Sequence, residues 1–437
     1  MGGKGGSSVT GGTSSEAGDG NEPEAGEGGR SDSGSGGSSS GGKGGAGRGG
    51  SSGKGGSSSG TGGGSSGSAG ESSSGSGGGS SKPVSCDAKP KPGLPKTAPA
   101  FKVGTWVDIT PPGLPVGDRT AQGMAVDPCN PTTIYFCVVR DGGNVYKSTD
   151  SGGTWTRLQG DDDSDDLQVE ALTFPIRINI DPKDSNHLYA GDGVEGSTNG
   201  FWRSFDGGRN WEMPQSFLDQ DAKHGVYVRD VYDVAADPGD FNHILVSSHS
   251  DAYVLESKDG GDTWIYHDPP DNSGGHSIGF LHSPEHGLGN SNTWLLGTQG
   301  NGYFRTDNAG KSWERVSNVG IVHGGGNHYY AKDGTVYATA EEGVLRSTDN
   351  GKTWDGTGPG FGTSAIWGDG NLLYTNRGYM DSPEPFYVSA EDDGQNWEPQ
   401  DGSQELPEGA FELGYDPVNG IMYAAGWAQH MWAMKVR

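Results

Sequence analysis

Ser148-Thr-Asp-Ser-Gly-Gly-Thr-Trp155 returns five times further down the chain. The copies are Ser204-Phe-Asp-Gly-Gly-Arg-Asn-Trp211, Ser257-Lys-Asp-Gly-Gly-Asp-Thr-Trp264, Thr306-Asp-Asn-Ala-Gly-Lys-Ser-Trp313 and Ser347-Thr-Asp-Asn-Gly-Lys-Thr-Trp354, then a degenerate Ala390-Glu-Asp-Asp-Gly-Gln-Asn-Trp397. The shared pattern is Ser/Thr-x-Asp-x-Gly-x-Thr-Trp. It reads as a tight turn between two antiparallel strands. The carboxylate accepts hydrogen bonds from backbone N–H groups of its own turn. The glycine supplies a backbone conformation that a Cβ would resist, and the tryptophan starts the next strand and packs between sheets. Asn308 can accept the same bonds, so the fourth copy survives the change, and Ala390 loses only a hydroxyl. A residue repeated in this way serves the repeat. Asp150, Asp206, Asp259, Asn308, Asp349 and Asp392 are therefore read as structural.

Working outward, the same order of strands recurs between the turns. An apolar strand ends in Asp-Pro or Asp-Gly (Val126-Asp-Pro, Ile180-Asp-Pro, Ala236-Asp-Pro), a second follows (Ile134-Tyr-Phe, Leu188-Tyr-Ala, Val336-Tyr-Ala), and a third runs into the turn (Val145-Tyr-Lys-Ser, Val344-Leu-Arg-Ser). A fourth begins at the tryptophan. Four antiparallel strands every roughly 40 to 55 residues are the signature of a propeller blade. The last repeat, from Phe411 to Arg437, has three strands and no turn motif, whereas Gly104-Thr-Trp-Val-Asp-Ile-Thr110 looks like an isolated fourth strand. Pairing these ends removes two exposed sheet edges. The expectation is an all-β chain, a single seven-bladed β-propeller over 104–437 whose last blade is closed by the N-terminal strand.

The rest of the chain has a different composition. Residues 1–84 are almost wholly Gly and Ser and contain no Ile, Leu, Phe, Trp or Tyr. Such a stretch has nothing to bury against the entropy of ordering it, so it reads as a disordered tether. Residues 85–103 are Pro- and Lys-rich and read as an extended linker. The net charge is −27, and the tail to residue 84 holds seven acidic and six basic residues, so nearly all the negative charge falls on the folded part. That field repels nucleic acid and anionic membranes. No stretch approaches the roughly 20 apolar residues of a membrane span. The start, Met1-Gly-Gly-Lys-Gly-Gly, carries no hydrophobic signal region, yet the long Gly/Ser tail resembles the tethers of bacterial surface proteins. The chain is accordingly expected outside the cell or on its surface, as a monomer. Of three cysteines, Cys129 and Cys137 flank one hairpin. They read either as a disulfide or as two buried thiols, with Cys86 left over.

The repeat resembles the Asp box, or BNR repeat, of the sialidase/xyloglucanase-like β-propellers, over about 104 to 437. That resemblance implies a fold shared by sialidases, xyloglucan-active glycosidases, some polysaccharide lyases, sortilin-like receptors and a photosystem assembly factor, and the fold does not fix the function. Sialidases resemble six-bladed rings with an arginine triad and an Arg-Ile-Pro motif. The nearest string here is Pro175-Ile-Arg177-Ile-Asn, in a ring of seven. Xyloglucan-active relatives use two tandem propellers with carboxylates facing across the cleft, and one propeller cannot supply that pair. Lyases on seven-bladed rings use His, Tyr and Arg.

Function is sought where the repeats differ. The repeated turns lie on one face, and the loops joining blades, with those joining second to third strands, lie on the other. The candidate catalytic residues there are His224, Tyr227, Arg229, His249 and His276, and the candidate substrate-binding residues are Arg140, Glu195, His323, Arg377, Tyr379 and Trp427. Histidine acts as a general base or a metal ligand, but no HxxxH or CxxC spacing points to a metal. A loop tryptophan such as Trp427 can stack on a sugar ring. The acidic run Asp161-Asp-Asp-Ser-Asp-Asp166 offers oxygen ligands for calcium, or is a solvated charge run. No other cofactor is implied. Two functions stand: a carbohydrate-directed protein, glycan-binding or polysaccharide-degrading as a glycosidase or lyase, or a non-enzymatic scaffold that binds a protein partner on the same face.

Overall fold

The computed structural model describes residues 90–114, 121–138, 144–158, 175–193, 199–225, 227–249, 253–269, 274–323, 326–378, 383–400, 405–427 and 430–437. The Gly/Ser tail, Cys86, Arg140, the acidic run at 161–166, Glu195 and Tyr379 lie outside the described residues.

Seven antiparallel sheets form the ring. Their innermost strands are Ala121–Val126, Pro175–Asp181, Val231–Asp237, Gly275–Phe280, His328–Tyr330, Thr363–Gly368 and Ala410–Asp416. Each pairs with the next strand outward in sequence, so every blade is a meander. Second strands such as Ile134–Val138, Trp294–Thr298 and Val336–Ala340 are buried at every residue. Both of their faces are covered by neighbouring blades, so they read as continuous apolar runs. Buried tyrosines such as Tyr135 and Tyr337 on second strands, and Tyr303 on the third strand Gly302–Thr306, turn their hydroxyls to a backbone carbonyl of a neighbouring blade. Tyr135 donates to the Gly207 carbonyl at 3.2 Å, Tyr303 to that of Thr339 at 2.6 Å and Tyr337 to that of Glu391 at 3.1 Å, each bond crossing into the following blade.

The seventh blade takes its outer strand from the other end of the chain. Trp106–Asp108 pairs antiparallel with Met431–Lys435, Trp106 opposite Met434. Trp106 and Ile109 are buried there. The Pro-rich segment before them is docked, not free over its described part. Leu94 and Phe101 pack on the core between blades seven and one, and Gly93 N–H donates to Asn419 Oδ1 at 2.9 Å.

Five of the repeated turns share one hydrogen-bond pattern. In the first, Ser148 Oγ donates to Asp150 Oδ1 at 2.8 Å and accepts from Gly152 N–H at 2.8 Å, while Asp150 accepts from Thr154 N–H at 2.7 Å and Thr154 Oγ1 at 2.8 Å. The same bonds recur around Asp206, Asp259 and Asp349, and around Asn308 with the side-chain bond reversed, its amide donating to Ser312 Oγ at 2.8 Å. Each of these turns also holds two successive residues at positive φ, such as Ser151 (58°) and Gly152 (87°), which is why glycine recurs at the second.

Four sequence expectations need correction. The sixth turn uses Asp393, not Asp392: Asp393 Oδ2 accepts from Asn396 N–H at 3.1 Å and from its side-chain amide at 2.8 Å. Without a hydroxyl at Ala390 the turn closes through Gly394 N–H on the Ala390 carbonyl at 2.8 Å, and the acceptor moves one place along. Blade two has three strands, its fourth reduced to a bridge between Arg203 and Glu212. The chain there forms a helix, Gln215–His224, ended by Gly225 in the left-handed conformation at φ 70°. Finally, Cys129 and Cys137 are not paired with each other. Cys137 is a free thiol, fully buried, and Cys129 is disulfide-bonded to a partner outside the described residues.

Candidate functional site

The innermost strands share a defect that places the site. In blades one, two, three, four and seven the ladder slips by one residue near the start of this strand. The extra residue of such a bulge has no cross-strand partner and its side chain is re-aimed. Among the bulge residues are Ile176, Tyr232, His276 and Phe411. Ile176, Tyr232 and Phe411 meet in one buried cluster, against which Trp427 packs with its ring 6.4 Å from that of Phe411.

Around Tyr232 and His276 two more imidazoles close in. His249 follows the second strand of blade three, Asp240–Ser248, and His323 lies in the segment that leads into blade five. The ring centroids are 4.8 Å apart for His249 and His276, 5.0 Å for His249 and His323, and 5.0 Å for His276 and His323. One ligand nitrogen from each lies within 4.8 Å of the others. Tyr232 stacks flat on His249 at 4.3 Å, and its hydroxyl is 3.4 Å from His323 Nε2. His249 Nδ1–H donates to Asp230 Oδ2 at 3.0 Å, and His323 Nδ1–H donates to Gln299 Oε1 at 3.0 Å. Since those oxygens only accept, both Nδ1 atoms carry the proton and both Nε2 lone pairs are left to other uses. Burial holds His276 down at about 3, helped by the charges His249 and His323 would carry, and burial lowers His323 too. Both are therefore neutral bases at neutral pH.

The other candidates are placed around this centre or away from it. Arg229 is half-exposed, held by Asp221 at 3.1 Å and lying 5.1 Å over the exposed ring of Tyr227. His224 is not part of the imidazole group. It ends the helix and stacks on Tyr266 of blade three's outer strand at 4.2 Å. Arg377 ends the second strand of blade six, 5.9 Å over Phe361.

A cavity of about 560 Å³ opens on the opposite, turn-bearing face and is walled by Val126, Ile180, Phe280, Trp367 and Pro417 among others. Its inner end is a ring of charge. Arg177 Nη1 reaches Glu412 at 2.8 Å, its Nε lies 3.2 Å from Asp233, and its Nη2 donates to the Gly326 carbonyl at 2.6 Å. Burial pushes Asp233 and Glu412 up and pulls the guanidinium down, but the two carboxylates hold Arg177 above its ordinary value. These contacts tie blades two, three, five and seven together, so we read this cavity as structural.

No known family model matches the chain. Over 292 residues it is 25% identical to a xyloglucanase of Paenibacillus sp, a match covering 53% of this chain and 26% of that enzyme. It is 25% identical over 288 residues to xyloglucanase Xgh74A of Acetivibrio thermocellus, covering 53% and 32%. The chain thus spans about a quarter to a third of the length of these curated relatives. Among solved structures it resembles YCF48 bound to D1 peptide, with a TM-score of 0.51, 15% identity, and 78% of this chain and 99% of that one covered. It also resembles an ancestral GH74 enzyme, with a TM-score of 0.52, 18% identity, and coverage of 75% and 46%. At these identities the structural likeness is one of fold. Among the described residues no helix is long and apolar enough to cross a membrane.

Tyr232 is the member of this cluster that sequence reasoning missed. Its signal was positional. Aligned from their Asp-Pro ends, the innermost strands place Ile176, Tyr232 and Phe411 at one equivalent position, with Arg177, Asp233 and Glu412 next to them.

Proposed function

We propose that this propeller is a carbohydrate-directed protein of the cell exterior that takes a polysaccharide across its loop-bearing face and degrades it there. The observation that carries the reading is the convergence of His249, His276, His323 and Tyr232 from two blades and the segment leading into a third. Imidazoles gathered beside a phenol are donor and acceptor groups suited to positioning and passing a proton. Arg229 and Tyr227 at the rim are suited to a sugar acid and a sugar ring, and Trp427 across the mouth offers a stacking edge. The distant xyloglucanase relatives support a glycan as the ligand class. The chemistry gathered here is imidazole and phenol, with Asp230 already engaged by His249. It favours proton abstraction beside a uronate over the two-carboxylate scheme of a glycosidase. A protein-docking face would call for exposed apolar area. The exposed large apolar side chains among the described residues are Val103, Phe205, Tyr227 and Ile265, and Phe205 and Ile265 belong to the turn-bearing side of their blades.

The test is a panel of polysaccharides, xyloglucan and uronate-rich polymers included, incubated with the full chain and read by mass spectrometry. Released oligosaccharides with unsaturated ends are expected, and Tyr232→Phe lowers the rate by about 100-fold or more. Release of saturated, hydrated ends would replace the elimination by hydrolysis. No release, together with no retardation in any polysaccharide gel, would refute the carbohydrate reading and move the search to protein partners.

A further inference from the structure

We propose that His249, His276 and His323 are a tri-imidazole site for a divalent transition-metal ion, Zn²⁺ above all, with a fourth position left open to water or a substrate oxygen. The three rings form a near-equilateral triangle with sides of 4.8, 5.0 and 5.0 Å between centroids. A tetrahedral ion with Zn–N bonds of about 2.05 Å needs its nitrogens about 3.3 Å apart. Nitrogens that already lie within 4.8 Å reach that spacing by side-chain rotations that leave the sheets in place.

The outer contacts are those a metal site needs. A ligating histidine donates its second N–H to a carboxylate or carbonyl oxygen, which fixes the tautomer and the ring plane. Asp230, itself buried, does this for His249, and Gln299 does it for His323. Both bonds use Nδ1 and so leave Nε2 as the ligand atom of each ring. The flat stack of Tyr232 on His249 at 4.3 Å holds that ring from its other side. In forming the site His323 Nε2 gives up its 3.4 Å contact with the Tyr232 hydroxyl, which leaves a phenol beside the open position. An all-nitrogen donor set disfavours Ca²⁺ and Mg²⁺, which take oxygens, and suits Zn²⁺ or its spectroscopic substitute Co²⁺. The adjacent Arg229 does not oppose the ion, since its guanidinium is turned to Asp221 at 3.1 Å.

This site does not rest on the carbohydrate reading, and its test uses metal alone. The full chain is stripped with EDTA, dialysed, and titrated with ZnSO₄ by calorimetry, with bound zinc counted by elemental analysis. One Zn²⁺ per chain is expected, and CoCl₂ gives the intense visible bands of a four- or five-coordinate ion. His323 is exposed, so His323→Ala leaves the metal-free melting temperature unchanged and abolishes the stoichiometric site. Asp230→Asn keeps the ligands and weakens zinc about 10- to 100-fold, with a shifted cobalt spectrum. The chain has 11 histidines, so zinc retained undiminished in the His249→Ala/His323→Ala protein would mean binding elsewhere and overturn the proposal. Absence of any stoichiometric zinc in the unaltered chain would overturn it as well.

Discussion

Replacing Arg177 by methionine removes the guanidinium that Asp233 and Glu412 share and leaves the two carboxylates buried without it. At a separation of about 3 Å and an effective dielectric of about 20, each contact is a gross attraction of about 5–6 kcal/mol, largely offset by the desolvation of the ions. The asymmetry lies in what remains. An uncompensated buried charge costs about 3–5 kcal/mol, and Arg177 also donates to the Gly326 carbonyl. We expect Arg177→Met to lose about 3–5 kcal/mol at pH 8, measured by guanidinium unfolding followed through tryptophan fluorescence. Asp233 and Glu412 already sit above the ordinary carboxylate range through burial, even with Arg177 pulling them down. Without it they rise further. A carboxyl raised in the fold destabilises above its folded pKa and ceases to do so as pH falls toward its unfolded value near 4. The deficit of the variant should therefore shrink steadily from pH 8 to about pH 5. Neutralising the pair in Arg177→Met/Asp233→Asn/Glu412→Gln should recover most of it. A loss under about 1 kcal/mol, or one that does not change with pH, would refute the assignment of this cluster as a mutually dependent clamp.

Deleting residues 104–110 removes the outer strand of blade seven with the buried Trp106 and Ile109. We expect a loss of about 5 kcal/mol or more, seen as a lowered calorimetric transition, and an unaltered transition would defeat the closure of the ring. In blade three, burial opposes but hydrogen bonds from His243 and its neighbours hold Asp237 and Glu256 below the ordinary carboxylate range, and the same bonds raise His243. The carboxylate share is present above their ordinary pKa and lost as pH falls below about 4, and the His243 share is complete below about pH 6.5 and lost as pH rises beyond it. Melting temperature should thus peak between those limits, and His243→Gln should flatten the alkaline side; a variant with the parent's alkaline slope would contradict this. In the sixth turn, Asp393→Ala should lower the melting temperature and Asp392→Ala should not, whereas equal effects would restore Asp392 to the structural role.

The ring was legible because its evidence is local and repeated. A turn that needs a hydroxyl, a side-chain oxygen acceptor and two left-handed residues leaves the same eight-residue pattern each time, and the missing seventh turn points to Trp106–Asp108 as the closing strand. The site was only half legible. His249, His276 and His323 stood out as polar residues on the loop-bearing face, but their convergence depends on which innermost-strand residue is bulged, and a bulge costs the sequence no special residue. Tyr232 looked like an ordinary strand aromatic for that reason. The helix Gln215–His224 was overlooked although its stop signal, Gly225, is present, because a ring of strands set the expectation. The shift from Asp392 to Asp393 follows from one absent hydroxyl, a loss that looks minor in a string of letters and is not minor in a turn the hydroxyl organises.

The pairing of Trp106 with Met434 also bears on how the protein is made. Met431 N–H donates to Thr110 Oγ1 across 321 residues of chain. During synthesis Trp106–Asp108 has no partner until Met431–Lys435 has been made, so six blades can stack while the seventh is still incomplete. Long-range pairing of this kind is slow, because loop closure precedes the contacts that reward it. In the interval the edges of blade one and of the growing end are open to other chains. Leu94 and Phe101 pack on the seam between blades seven and one, so their docking too is completed only when blade seven closes.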